Sequence, residues 1–81
     1  MPVTPEEVRA RIGARIREHA KRRGLSVTEL ARNAGVSRAH LYGILDGRTA
    51  PTSDTLTKLA NALGTDPGVL VRPYRGKPPA D

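Results

Sequence analysis

Residues 26–47 contain the pattern that most constrains the fold of this chain. Two short helical segments are separated by the turn Ala34-Gly35-Val36. Ser26 and Glu29 have the spacing of a Ser-x-x-Glu capping box, which satisfies backbone N–H groups at a helix start. Gly35 is free to take the positive φ that a side chain would disfavour. Two helices joined by so short a turn must cross tightly, and the second one then projects from the surface.

Three further segments are predicted to be helical. A first helix begins near Pro5, and its apolar positions recur every four residues: Val8, Ile12, Ile16 and Ala20. A fourth helix follows Thr52 and has its own apolar face, formed by Leu56, Leu59, Ala60 and Leu63. Asp66 and Pro67 begin a short fifth, because proline suits the first turn of a helix. Since the sequence has no strand pattern, the expected fold class is all-α, a compact bundle of four helices plus a short fifth.

The charge balance points to an anionic partner. Lys and Arg total 14 against 8 Asp and Glu, for a net charge of +6, and eleven of the 14 are Arg. The planar guanidinium binds phosphate and guanine bidentately, which favours nucleic acid. On charge alone, a solvated arginine face with no partner is the alternative. A membrane-surface peptide is disfavoured because the chain has no Trp and no Phe.

Other classes lack the residues that they need. The chain has no Cys, its two histidines, His19 and His40, lack metal-ligand or triad spacing, and no glycine-rich phosphate loop follows a strand. We therefore expect no enzyme, metal site, cofactor or small-molecule ligand. No apolar run approaches the roughly 20 residues that span a bilayer, and the N-terminus lacks a secretory signal. We expect a cytoplasmic protein that contacts no membrane.

The segment from Val27 to Ile44 resembles the helix-turn-helix of the XRE family, the phage repressor and Cro type. The resemblance extends from about Ile12 to Leu70 and rests on ordered elements: Leu30-Ala31, Ala34-Gly35-Val36, Leu41, Ile44, Asp46-Gly47-Arg48 and Leu59-Ala60-Asn61-Ala62-Leu63-Gly64. It implies a lambda repressor-like fold and a sequence-specific double-stranded DNA-binding transcriptional regulator, with repression expected. Helix 37–45 would enter the major groove.

The same resemblance implies where DNA contacts fall. The third helix would contact the bases, through Arg38, Ala39, Tyr42 and Gly43. Arg38 is the strongest reader, since a bidentate bond to guanine gives about 1–3 kcal/mol of discrimination, although a phosphate contact is the alternative. DNA backbone contacts are implied at Ser26, Val27, Thr28, Ser37, His40, Arg48 and Thr49. Gly43 departs from relatives that carry a base-contacting side chain there. Either the backbone is closely approached at that point or specificity depends more on Arg38 and DNA shape.

A second departure concerns a buried pair. Some relatives pair an Arg on the first helix with a Glu on the third, where this chain has Ala20 and Leu45. Both partners are replaced by apolar residues together, which leaves no unpaired buried charge.

Domain organisation follows from the sequence pattern, and the expected partners follow from the resemblance. We expect a flexible arm at residues 1–4, the DNA-binding domain at 5–72 and a disordered basic tail at 73–81. The family implies a homodimer on a palindromic operator, through a patch at Val69, Leu70, Val71 and Tyr74. That patch is small, so pairing only on DNA stays open. A protein-interaction module or antitoxin-like component with this fold is the alternative function. RNA binding is less favoured because stacking aromatics are nearly absent.

Overall fold

Five α-helices account for most of residues 2–73, the part of the chain that the computed structural model describes. Their bounds are α1 Pro5–Arg22, α2 Val27–Ala34, α3 Arg38–Leu45, α4 Ser53–Leu63 and α5 Pro67–Val71. The prediction of four helices and a short fifth is confirmed. None of the helices in this range is long and apolar enough to cross a membrane.

Local sequence explains where the helices begin and end. Each begins after a residue whose side-chain oxygen accepts a backbone N–H: Thr4, Ser26, Ser37, Thr52 and Asp66. The predicted capping box is present, with Ser26 Oγ accepting from the Glu29 N–H and the Glu29 carboxylate from the Ser26 N–H, both at 3.1 Å. Gly35 ends α2 with φ 71°, as predicted, and Gly64 ends α4 with φ 68°. Such N-caps typically contribute about 1 kcal/mol each.

The apolar faces of the helices meet in a single core. Its buried members are Ile12, Ile16, Ala20, Leu30, Ala31, Ala34, Leu41, Ile44, Leu45, Leu59, Ala60, Leu63 and Leu70. Val8 and Leu56 were also predicted to face inward, and they pack against this core while staying half-buried. Helix α2 packs on α4, α1 packs on α3, and α5 lies against both α1 and α4. This arrangement buries one face of α3 and leaves the opposite face outside the bundle.

Helices α1 and α3 cross at Gly13, a residue that the sequence reading did not single out. A Cβ at Gly13 would lie 2.4 Å from the carbonyl oxygen of Leu45 and 2.8 Å from that of Ile44. The absent side chain therefore lets the C-terminal turn of α3 rest directly on α1. The following turn is held as well, because Arg9 Nε donates to the Gly47 carbonyl at 3.1 Å.

Helix α5 closes the core, which corrects one expectation about partners. Leu70 was predicted to belong to a dimer patch, but its side chain is fully buried within the monomer. Val69 and Val71 are half-buried, and Tyr74 lies outside the described residues. The guanidinium of Arg15 donates to the carbonyl of Pro73 at 3.3 Å. The rest of the predicted tail, 74–81, also lies outside the described residues.

Candidate nucleic-acid interface

The outer face of α3 is the centre of the candidate interface. In an α-helix successive residues are about 100° apart, so the stripe Leu41, Ile44 and Leu45 puts positions 39 and 43 on the opposite side. The inward stripe is buried, whereas most of the outward and flanking side chains are exposed: Arg38, Ala39, His40 and Tyr42. Ser37 caps the helix, its Oγ accepting from the His40 N–H at 3.1 Å. The bundle thus presents the N-terminal turns of α3 to the outside.

Arg38 and Tyr42 are exposed and stand one turn apart along one flank of this face. Within residues 2–73 the Arg38 guanidinium forms no ion pair or hydrogen bond, so its five N–H donors are available to a ligand. Tyr42 is 45% exposed, and only Val3 is a more exposed large apolar side chain in the described range. Its ring provides apolar surface and its hydroxyl a donor and acceptor beside Arg38.

Gly43 is the one predicted reading position that the fold encloses. It is buried although it points away from the core, because the loop after α3 folds back over it. Its carbonyl accepts the N–H of Arg48 at 2.9 Å and of Thr49 at 3.2 Å. A Cβ at Gly43 would lie 3.1 Å from Thr49 Oγ1. The close backbone approach raised from the sequence is therefore made by the chain itself, and Gly43 is buried, which leaves it little surface with which to contact a base.

Asp46 links the loop to α1, a role in the site that the sequence reading did not assign to it. One carboxylate oxygen lies 3.1 Å from the Arg17 guanidinium and the other 3.1 Å from that of Arg48. Arg48, predicted to contact phosphate, is therefore held at the end of α3 by a neighbouring charge. All three side chains are exposed, so the stabilisation is small, and the pairing places the Arg48 guanidinium beside Asp46. Apart from the Asp46-Gly47-Arg48 element itself, the sequence signal for this pairing was the i,i+2 proximity of opposite charges, which is too common to be diagnostic.

The beginning of α2 offers backbone donors to an anion. Within residues 2–73 the N–H groups of Val27 and Thr28 have no acceptor, since the cap serves the Glu29 and Leu30 N–H groups. A helix N-terminus with open N–H groups attracts phosphate. The Val27 side chain is half-buried against the core, so its predicted contact is limited to backbone. Ser26 and Thr28 are exposed.

The pKa values of one carboxyl group and one imidazole group near these elements are lowered. Hydrogen bonds from the backbone and hydroxyl of Ser26 lower the pKa of Glu29, which keeps the capping box ionised and intact. Partial burial, followed by the charge of Arg22, lowers the pKa of His19. His19 therefore favours its neutral form and adds little positive charge to the surface.

An open cavity of about 330 Å³ lies where α1, α2 and α3 meet. Its lining residues are Arg17, Ala20, Lys21, Leu25, Ser26, Val27, Leu30 and Leu45. Ala20 and Leu45 are the positions at which some relatives carry a buried Arg–Glu pair, and here both belong to the apolar core. The surface pair Arg17–Asp46 joins α1 to the end of α3, in addition to the bond from Arg9 to the Gly47 carbonyl.

The predicted contact residues therefore fall into two groups. The structure brings one group together on α3 and the loop folded against it: Ser37, Arg38, Ala39, His40, Tyr42, Gly43, Arg48 and Thr49. The other group, Ser26, Val27 and Thr28, lies at the start of α2. Helices α2 and α3 are both anchored in the core by their inner faces, which places the two groups on the same bundle.

Comparison with known proteins agrees with this geometry. Residues 11–73 match the model of the family described as Helix-turn-helix domain. The chain is 37% identical over 60 residues to the ImmF control region 10 kDa protein of Bacillus phage phi105, covering 74% of this chain and 67% of that protein. It is 39% identical over 51 residues to an uncharacterized HTH-type transcriptional regulator of Methanothermobacter thermautotrophicus, covering 63% and 74%.

A solved structure shows the same arrangement of helices. The restriction-modification controller protein C.AhdI from Aeromonas hydrophila superposes with a TM-score of 0.74 at 32% identity. The match covers 76% of this chain and 94% of the controller protein, so it includes nearly all of that molecule.

Proposed function

Because this chain belongs to the helix-turn-helix family of DNA-binding transcriptional regulators, XRE type, we propose that it places α3 in the major groove of a specific operator and represses transcription there. One observation carries the proposal. Arg38 stands on the first turn of α3 with an unpaired guanidinium, on a helix whose opposite face is fixed in the core. A rigid helix with a free bidentate donor at its N-terminus is the arrangement that reads guanine in the major groove.

In this proposal the contacts have separate roles. Arg38 reads guanine, Ala39 approaches closely enough to touch a thymine methyl, and Tyr42 lines the groove wall. The open N–H groups of Val27 and Thr28 bind one phosphate, and Arg48, oriented by Asp46, binds another. The remaining proposed backbone contacts are the exposed side chains of Ser26, Ser37, His40 and Thr49. Phosphate contacts set the register of the protein on the duplex, and base contacts select the sequence.

The sign of regulation and the assembly are also proposals. The named relatives include a phage control-region protein and a restriction-modification controller, which supports a regulatory role. We propose that two copies bind a palindromic operator. Since Leu70 belongs to the core, the contact between copies would involve Val69 and Val71, and so small a patch favours pairing on DNA. The proposed role is binding without catalysis, and the proposed location is the cytoplasm.

Selection of bound duplexes from a random pool, followed by titration at two salt concentrations, tests this function. We expect a palindromic consensus and a steep loss of affinity with salt. A complex with about six phosphate contacts loses roughly 10³-fold between 50 and 200 mM salt. Failure to enrich any sequence, together with salt-insensitive binding, would refute the proposal and favour the protein-interaction module.

A further inference from the structure

The outer face of α3 carries a hydrogen-bonding group that does not come from α3. We propose that Thr49, from the following loop, reads a base edge at the place that a side chain at position 43 would otherwise occupy. The inference rests on the proposed function and adds a second specificity-determining residue to Arg38. It reassigns Thr49 from the DNA backbone to the bases.

The position of Gly43 is the starting point. Positions 39 and 43 lie about 180° from the buried stripe of α3, so they are the two most outward positions of the helix. Ala39 is exposed, yet Gly43 is buried. The covering atoms belong to Thr49, whose Oγ1 and Cβ would lie 3.1 Å and 3.6 Å from a Cβ at Gly43. The Thr49 side chain thus stands on the outward face in the space above Gly43.

The loop is held in this position by backbone bonds. The Gly43 carbonyl accepts from the N–H groups of both Arg48 and Thr49, at 2.9 Å and 3.2 Å. A glycine in the middle of a helix costs roughly 0.5–1 kcal/mol relative to alanine. Here that cost is explained by the approach of the loop, because even a methyl group at position 43 would press on Thr49. Gly43 and Thr49 therefore form one structural unit.

The chemistry of Thr49 suits a base edge. Its side chain is exposed, and within residues 2–73 its hydroxyl has no hydrogen-bond partner. A hydroxyl both donates and accepts, so it can bond either member of a base pair, and the threonine methyl can contact thymine. Ala39, the other outward position, has no hydrogen-bonding group in its side chain. Thr49 thus supplies polar recognition to a part of the face that α3 itself leaves apolar.

The neighbouring Arg48 makes a useful contrast. Its guanidinium lies 3.1 Å from the Asp46 carboxylate at the C-terminal end of α3. A long cation at the rim is suited to phosphate, whereas a short side chain packed on the helix surface must follow the helix into the groove. The two adjacent loop residues therefore differ in the part of DNA that they reach.

The test compares Thr49→Val, which removes the hydroxyl at nearly constant shape, with Thr49→Ser, which keeps it. Each variant and the wild type are used to select duplexes from a random pool, and affinities are then measured on the wild-type consensus and on a scrambled duplex. We expect Thr49→Val to lose about tenfold on the consensus, to stay within about twofold on the scrambled duplex and to relax one symmetric pair of positions. Thr49→Ser should retain the hydrogen-bond preference.

A double-variant cycle checks the link to Gly43. Gly43→Ala should disturb the same base positions, because it displaces Thr49, and it should have little further effect in the Thr49→Val background. Circular dichroism confirms folding of each variant. If Thr49→Val loses equal affinity for the consensus and the scrambled duplex, or loses none for either, the inference is overturned. The proposed function still holds in that case, provided that the wild type selects a consensus. A wild type that selects no consensus would overturn both.

Discussion

Replacing Gly13 with alanine tests whether the position of α3 depends on a close backbone crossing. The added methyl carbon would sit 2.4 Å and 2.8 Å from the carbonyl oxygens of Leu45 and Ile44. Carbonyl oxygens within a helix cannot rotate away as a side chain can, so α1 and α3 must separate by about 0.5–1 Å. A gap of that size forfeits roughly a quarter to a half of each dispersion contact across the interface.

The expected magnitude combines two opposing effects. Overpacking of this kind costs about 1–3 kcal/mol, and the rigid backbone places Gly13→Ala at the upper end. Alanine recovers roughly 1 kcal/mol because glycine disfavours the helix. The free energy of unfolding should therefore fall by about 2 kcal/mol, which lowers Tm by roughly 8–16 °C in a domain of this size.

Urea and thermal unfolding followed by circular dichroism measure the effect, with Gly43→Ala as the matched control. Gly43 is also a glycine within a helix, but its added methyl would meet the rotatable side chain of Thr49 at 3.1 Å. The gain in helix propensity then largely offsets the energetic cost of the close contact with Thr49. The free energy of unfolding of Gly43→Ala should therefore stay within about 1 kcal/mol of that of the wild type. A Gly13→Ala protein as stable as wild type would refute the close crossing.

The remaining predictions concern DNA binding, capping and pH. Arg38→Ala should reduce the free-energy difference between consensus and scrambled duplexes by about 1–3 kcal/mol, as measured by fluorescence anisotropy. Arg48→Ala should instead lower the affinity for all duplexes alike and reduce the slope of log affinity against log salt concentration by about 1. Identical affinity profiles for the two variants would contradict the division of roles. Ser26→Ala should lower the free energy of unfolding by about 1 kcal/mol in urea titrations, and an unchanged midpoint would argue against the capping box. Because the pKa of Glu29 is lowered on folding, its ionised form stabilises the fold at pH values above 4.5, the ordinary pKa of the group. This stabilisation is lost as the pH falls through the folded-state pKa. Glu29→Gln should therefore flatten the dependence of Tm on pH below about 5, and an unaltered slope would be inconsistent with the cap.

Features set by neighbouring residues could be predicted from the sequence. The helix starts at Ser26, Ser37 and Thr52 could be predicted because each hydroxyl group accepts the backbone N–H of the residue three positions later. The inward stripe of α3 follows from helical periodicity, and the positive φ of Gly35 follows from its place between two short helices. Each of these depends on only a few consecutive residues, so the pattern determines the outcome.

Features that depend on distant residues could not be predicted in the same way. The contact of Gly13 with Leu45 joins residues far apart in the chain, although a glycine in the middle of a strong helical pattern hinted at a close approach. The position of Thr49 over Gly43 depends on the path of a loop. Leu70 was assigned to a dimer patch because a Val-Leu-Val run looks the same whether it faces a core or a partner.

Sequence-specific binding by this protein depends on Arg38 reading a guanine in the major groove. Substituting 7-deazaguanine at one guanine of the selected operator removes the N7 acceptor in that groove while leaving base pairing intact. Competition titrations with wild type and Arg38→Ala then form a chemical double-variant cycle. The wild type should lose about tenfold or more in affinity at one symmetric guanine, and Arg38→Ala should lose nothing further there. Equal losses by both proteins, or none at any guanine, would contradict the claim.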